Sequence, residues 1–183
     1  LDSLKKLGWV PGTFDNGYVD DILCDGRIII TGYTTDSIKY NYNEQGIDTC
    51  SIWEFKVDKI LKGAELMNLG DKEGSTIFLK SANSKSFSYS AEISYLPNTN
   101  YILYIKQYQS YPKTNPPRPY YTGFGGKMII DSGFVYAADW YRTTIDDLSF
   151  REKHRISLED YFDLVKKVLE VNDSKNFYKR RYK

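Results

Sequence analysis

The sequence predicts a mainly β fold, its sheet curled into a small antiparallel barrel or partly closed sheet, covered by one C-terminal α-helix. Three observations carry this. Trp53, Phe55 and Val57 alternate with Glu54, Lys56 and Asp58, a period of two that puts apolar side chains on one face of a strand and charges on the other. Leu158, Tyr161, Phe162, Val165, Val168 and Leu169 recur at three- and four-residue spacing, the single apolar stripe of an amphipathic helix. Between them lie several short apolar runs separated by turn residues and long loops, with one covering helix, which suits a small barrel.

Taken in order, Pro11-Gly12 and Asp15-Asn16-Gly17 are turn signals, and Tyr18 to Cys24 fits a short helix. The β-branched run from Arg27 to Thr34 reads as a buried strand, followed by a polar, tyrosine-containing loop over about Asp36 to Asp48. Ile52 to Lys59 is the alternating strand, ended by Lys62-Gly63, and Thr76 to Lys80 is a third. Leu96-Pro97-Asn98-Thr99-Asn100 turns the chain into a fourth strand, Tyr101 to Ile105. Pro112, Pro116, Pro117 and Pro119 hold a long extended loop out of any sheet, and Gly123-Phe124-Gly125-Gly126 reads as a turn. Lys127 to Ile130 and Phe134 to Tyr136 flank Asp131-Ser132-Gly133, a hairpin whose Gly133 can take positive φ. Ser157 is the N-cap of the last helix, with Glu159 and Asp160 at the positive end of its dipole. These elements make one domain over residues 1–183, with the barrel at about 18–140, the helix at about 157–171 and a solvated basic tail at 174–183.

The totals bound the function. A chain of 183 residues that is 41% hydrophobic can bury one sizeable core. Its 25 Lys and Arg nearly balance 24 Asp and Glu, leaving +1, so no nucleic-acid partner is expected. No stretch approaches the roughly 20 apolar residues that cross a bilayer as a helix. The chain opens at Leu1 without a hydrophobic leader, as after removal of a signal peptide or trimming. If the strands starting at Arg27 and Ser51 pair as a hairpin, Cys24 falls near Leu61 and Cys50 near Thr35, at opposite ends. Two buried thiols then fit better than a Cys24–Cys50 bridge, and both readings stay open.

Catalytic apparatus is not visible. The one histidine, His154, sits among Arg151, Lys153 and Arg155, a poor start for a zinc site or a Ser-His-Asp triad. No phosphate-binding loop, dinucleotide fingerprint or metalloprotease helix motif is present. Asp20-Asp21, Asp146-Asp147 and Glu159-Asp160 are adjacent in sequence, which does not set two carboxyls across a cleft. The expectation is therefore a protein that is not an enzyme, with no cofactor and no metal.

The order of segments resembles bacterial, usually exported proteins with an OB-like barrel related in fold to tissue inhibitors of metalloproteinases. The matching pieces are Gly26 to Gly32, Trp53 to Gly63, Gly74 to Leu79, Tyr95 to Ile105, Gly125 to Met128, Asp131 to Tyr136 and Ile156 to Tyr161, spanning roughly Asp20 to Glu170. The resemblance implies an extracytoplasmic protein, secreted or surface-anchored, and allows a lipid anchor in the precursor. The animal inhibitors use an N-terminal cysteine where this chain has Leu1, so their inhibitory mechanism does not transfer.

OB barrels bind across one sheet face bounded by the loop joining the first and second strands and the loop joining the fourth and fifth. On this assignment those loops carry Tyr40 and Tyr42, and Tyr108, Tyr111, Tyr120 and Tyr121. Aromatic rings beside prolines offer rigid contact area for a carbohydrate, a peptide or another protein. The alternatives are a structural or assembly protein of the envelope with no small ligand and, third, an enzyme of unrecognised type.

Overall fold

The computed structural model describes residues 27–86, 94–107, 118–137 and 155–175. Its strands are β1 (Ile28–Tyr42), β2 (Asp48–Lys62), β3 (Thr76–Ser81), β4 (Asn100–Gln107), β5 (Tyr120–Asp131), β6 (Phe134–Ala137) and β7 (Ile156–Ser157), followed by α1 (Leu158–Lys175). The seven strands form one sheet in the order β3-β2-β1-β4-β5-β6-β7, and a parallel pairing of β3 with β5 closes five of them into a ring. That closure is short, Leu79 opposite Tyr120 and Lys80 opposite Tyr121. The remaining pairings are antiparallel.

Two apolar clusters explain the sequence patterns. Inside the ring lie Ile28, Ile30, Trp53, Phe55, Val57, Ile77, Leu79, Tyr101, Leu103, Ile105 and Tyr120. On the opposite face of β1, β4 and β5, Ile29, Ile102, Tyr104 and Met128 pack with Val135 and with Tyr161, Val165 and Val168 of α1. The first five residues of β1, Ile28 to Gly32, and residues 101–105 of β4 are thus buried on both faces, which is why Ile28-Ile29-Ile30 and Tyr101 to Ile105 run apolar without alternation. Strand β2 is covered only from inside and alternates as expected. The helix is fixed at its start by a reciprocal cap: Asp160 N–H donates to Ser157 Oγ (3.0 Å), and Ser157 Oγ–H donates to Asp160 Oδ2 (2.6 Å). In its first turn the Tyr161 hydroxyl meets that of Tyr104 at 2.5 Å within the second cluster.

Several boundaries differ from the sequence expectation. The loop expected over about Asp36 to Asp48 is mostly strand: β1 runs to Tyr42, and only residues 43–47 turn the chain. Asn43 makes that turn compact, its Oδ1 accepting from the N–H of Gln45 and of Ile47. An irregularity sits in β1 instead, where Thr34 faces Phe55 but the next pair is Ile38 with Trp53. Thr34, at the edge of this irregularity, is buried and holds the turn before β4, its Oγ1–H donating to Leu96 O (2.5 Å). Likewise Gly123 to Gly126 lie within β5, where Leu103 faces Lys127 and Ile105 faces Thr122, so the expected turn is an irregular stretch of strand. The β5–β6 hairpin forms as expected, with Ser132 (φ 51°) and Gly133 (φ 80°) both at positive φ.

Cys50 is a buried thiol opposite Asn41, whose Nδ2–H donates to Sγ (3.4 Å), and not a neighbour of Thr35. The helix runs to Lys175, past its expected end at about 171 and into the first two residues of the expected tail. The expectations for Tyr18 to Cys24, Cys24 itself, Asp20-Asp21, Asp146-Asp147, His154, the basic tail beyond residue 175, and Pro112, Pro116 and Pro117 lie outside the described residues.

Candidate binding surface

The tyrosines singled out from sequence do not converge. Tyr120 is in the core with no exposed surface, because β5 begins at that residue and pairs it with inward-facing Leu79. Its hydroxyl is used internally, donating to Asp71 Oδ2 (2.6 Å) and accepting from Asn68 N–H (2.7 Å). Burial, and then the Asp71 carboxylate, push its pKa well above the usual phenol range. Tyr120 is therefore a brace between β5 and the β2–β3 connection, and as a surface contact it is corrected. Tyr121, one residue on, faces the other way and is half-buried. Tyr40 stands opposite Ser51 on the inner side and is half-buried, while Tyr42 is 62% exposed beside the β1–β2 turn. Tyr108 and Tyr111 lie outside the described residues.

Strand register assembles a different surface. Residues paired across a sheet share a face. Since Phe55, Ile77 and Leu79 point inward, Ile52, Glu54 and Lys56 of β2 and Thr76, Phe78 and Lys80 of β3 point outward. Lys39, Ile52, Lys80 and Tyr121 form one row across β1, β2, β3 and β5. Glu54 faces Phe78 in the next row, and Tyr33, Lys56 and Thr76 make a third. Neighbouring strands are about 4.8 Å apart, so Lys39 and Lys80 start roughly 10 Å from each other with Ile52 between.

Exposure grades this surface: Lys39 is exposed, Tyr33 is 40% exposed, and Ile52, Glu54, Phe78 and Lys80 are half-buried. Lys56 is oriented by its neighbour, Nζ donating to Thr76 Oγ1 at 2.5 Å. Lysine ammonium groups beside aromatic and aliphatic surface can hold anionic groups while the rings supply contact area. Sequence reading missed this arrangement because it needs three pairings among four strands, between residues up to 82 positions apart (Lys39 to Tyr121). The only local signal was the Glu54-Phe55-Lys56 alternation, which marked the face without saying what lies beside it.

Other polar groups read as braces. Asp48 is buried at the start of β2, and hydrogen bonds from Ser86, including its N–H to Oδ2 (2.8 Å), hold its carboxyl at about 2, against the opposing effect of burial. Trp53 Nε1–H donates to Ser51 Oγ (3.0 Å), and Ser51 Oγ–H to Asn83 O (2.5 Å). Lys127, 5% exposed, points into the ring with its ammonium 4.0 Å from the centre of the Tyr95 ring. Among the described residues no group of three or more His, Cys, Asp or Glu is placed to hold a metal ion, and no helix is long and apolar enough to cross a membrane.

No protein-family model matches the chain, and no curated protein matches it.

Proposed function

We propose that this chain is a binding module of the cell envelope or exterior, built on an OB-like barrel, which takes a carbohydrate, peptide or protein ligand on the outer face of β1, β2 and β3. The OB-like reading is supported by the strand order: an antiparallel β1-β2-β3 unit, β3 parallel to β5, and β5 returning through β4 to β1. OB barrels use the face of strands two and three, flanked by the β1–β2 connection. The observation that carries the functional reading is the row Lys39–Ile52–Lys80–Tyr121 with Phe78 and Tyr33 beside it. Tyr121 in that row is one of the sequence-selected tyrosines, and a second, exposed Tyr42, adjoins the β1–β2 turn. Location outside the cytoplasm rests on the family resemblance.

The test is a thermal-shift screen of polysaccharides, peptidoglycan fragments and extended peptides. A ligand that raises the Tm of the wild type but not of the Lys39→Glu/Lys80→Glu double variant supports the reading. A ligand that stabilises both equally places binding elsewhere.

A second reading, an envelope assembly protein, is favoured by one observation. Leu69 is fully exposed and Leu66 is 37% exposed on the β2–β3 connection. Crosslinking from position 69 to a partner protein, with an inert lysine face, would favour it.

A further inference from the structure

Resting on the binding-module reading, we infer that the ligand is an acidic glycan, a sugar chain bearing carboxylates at intervals. The outer face interleaves cations and rings. Lys56 and Lys80 lie two residues to either side of Phe78 on paired strands, Lys39 completes a triangle of ammonium groups, and Tyr33 stands opposite Lys56. A half-buried ring offers a flat apolar floor for a pyranose face, and flexible lysine stems can follow carboxylates whose spacing varies along a polymer.

Glu54 separates a glycan from a nucleic acid. It faces Phe78 at the centre of this face, half-buried, where an approaching phosphodiester would meet a carboxylate. A phosphodiester brings no hydrogen-bond donor to offset that repulsion, whereas a sugar brings hydroxyl donors to a carboxylate acceptor. The overall charge agrees. A chain of net +1 lacks the broad basic field that a continuous phosphate backbone recruits, but three lysines set around Glu54, with Asp58 further along the same face of β2, suffice for occasional uronate groups.

The experiment measures retention of the full chain on immobilised polygalacturonate, dextran and single-stranded poly(dT), at low salt and at physiological salt. Wild type is compared with Lys39→Ala/Lys80→Ala and with Phe78→Leu, which keeps apolar volume and removes the ring; near-UV circular dichroism checks that each variant is folded. The expected result is preference for polygalacturonate, weakened by salt and lowered roughly tenfold in the double lysine variant, as loss of two surface ion pairs implies. Phe78→Leu lowers it severalfold. Equal retention of dextran that survives lysine removal but not Phe78→Leu keeps the binding face and overturns the acidic ligand. Retention on poly(dT) equal to or above polygalacturonate also overturns it. Retention on none of the three overturns the acidic glycan, while a peptide hit in the thermal-shift screen would still leave the face itself standing.

Discussion

Replacing Gly32 with alanine should be among the most damaging small substitutions in β1, and the reason is contact with backbone. A Cβ at Gly32 would stand 1.9 Å from the Lys56 carbonyl oxygen and 2.7 Å from Phe55 Cε1. No rotamer relieves the first collision, since the position of a Cβ is fixed by its backbone and the Lys56 carbonyl belongs to the main chain. β2 would have to retreat by roughly 1.5 Å to reach ordinary contact, enough to weaken neighbouring hydrogen bonds of the β1–β2 ladder. Two such bonds at about 1 kcal/mol each, plus about 1–3 kcal/mol of overpacking against Phe55, give about 3–5 kcal/mol. For a chain of this size each kcal/mol moves Tm by about 2–4 °C, so the expected fall is roughly 10 °C. Gly46→Ala is the control: it has φ +74° but nothing within 4 Å of the added carbon. It should cost only about 1 kcal/mol of backbone strain. Thermal and urea unfolding of the two variants measure the difference. Equal losses, or a Gly32→Ala shift under about 3 °C, would refute the close approach of β1 to β2 and with it the alignment of Tyr33 with Lys56.

Three further outcomes follow from the packing. Tyr120→Ala should cost about 3–5 kcal/mol, as for other large core aromatics, while Tyr121→Ala stays within about 1 kcal/mol; chemical denaturation of each separates a core residue from a surface one. Ser157→Ala removes the N-cap of α1 and should cost about 1 kcal/mol, read as lower stability and faster amide exchange in the first helical turn. The Asp48 carboxyl is held at about 2, below its unfolded value, so its contribution is fully present above the ordinary carboxylate pKa and is lost as pH falls through about 2. NMR titration should show the Ser86 amide resonance moving in that window, and Ser86→Ala should raise the Asp48 pKa.

The elements with one dry face were the legible ones. The Trp53-Phe55-Val57 alternation and the α1 stripe each report a single boundary between core and water, which periodicity detects directly. Tyr120 and Tyr121 were not legible because Pro119 and the glycines at 123, 125 and 126 punctuate the chain like a loop. The structure runs β5 through them by making the strand irregular. The run Tyr120-Tyr121-Thr122 was the available signal, three residues of strong β preference between those breakers. The lysine face was out of reach for another reason. Lys39, Lys80 and Tyr121 become neighbours only through long-range pairing and the parallel β3–β5 closure, which no local pattern encodes.

The most direct test of the proposed binding face is an amide chemical-shift map of the isotope-labelled full chain titrated with oligogalacturonate, with a neutral glucan oligomer and an extended peptide as parallel titrants. Saturable shifts centred on Lys39, Ile52, Phe78 and Lys80 are expected with at least one of the three. Shifts centred on α1 or on Leu66 to Leu69, or none with any titrant, would contradict it.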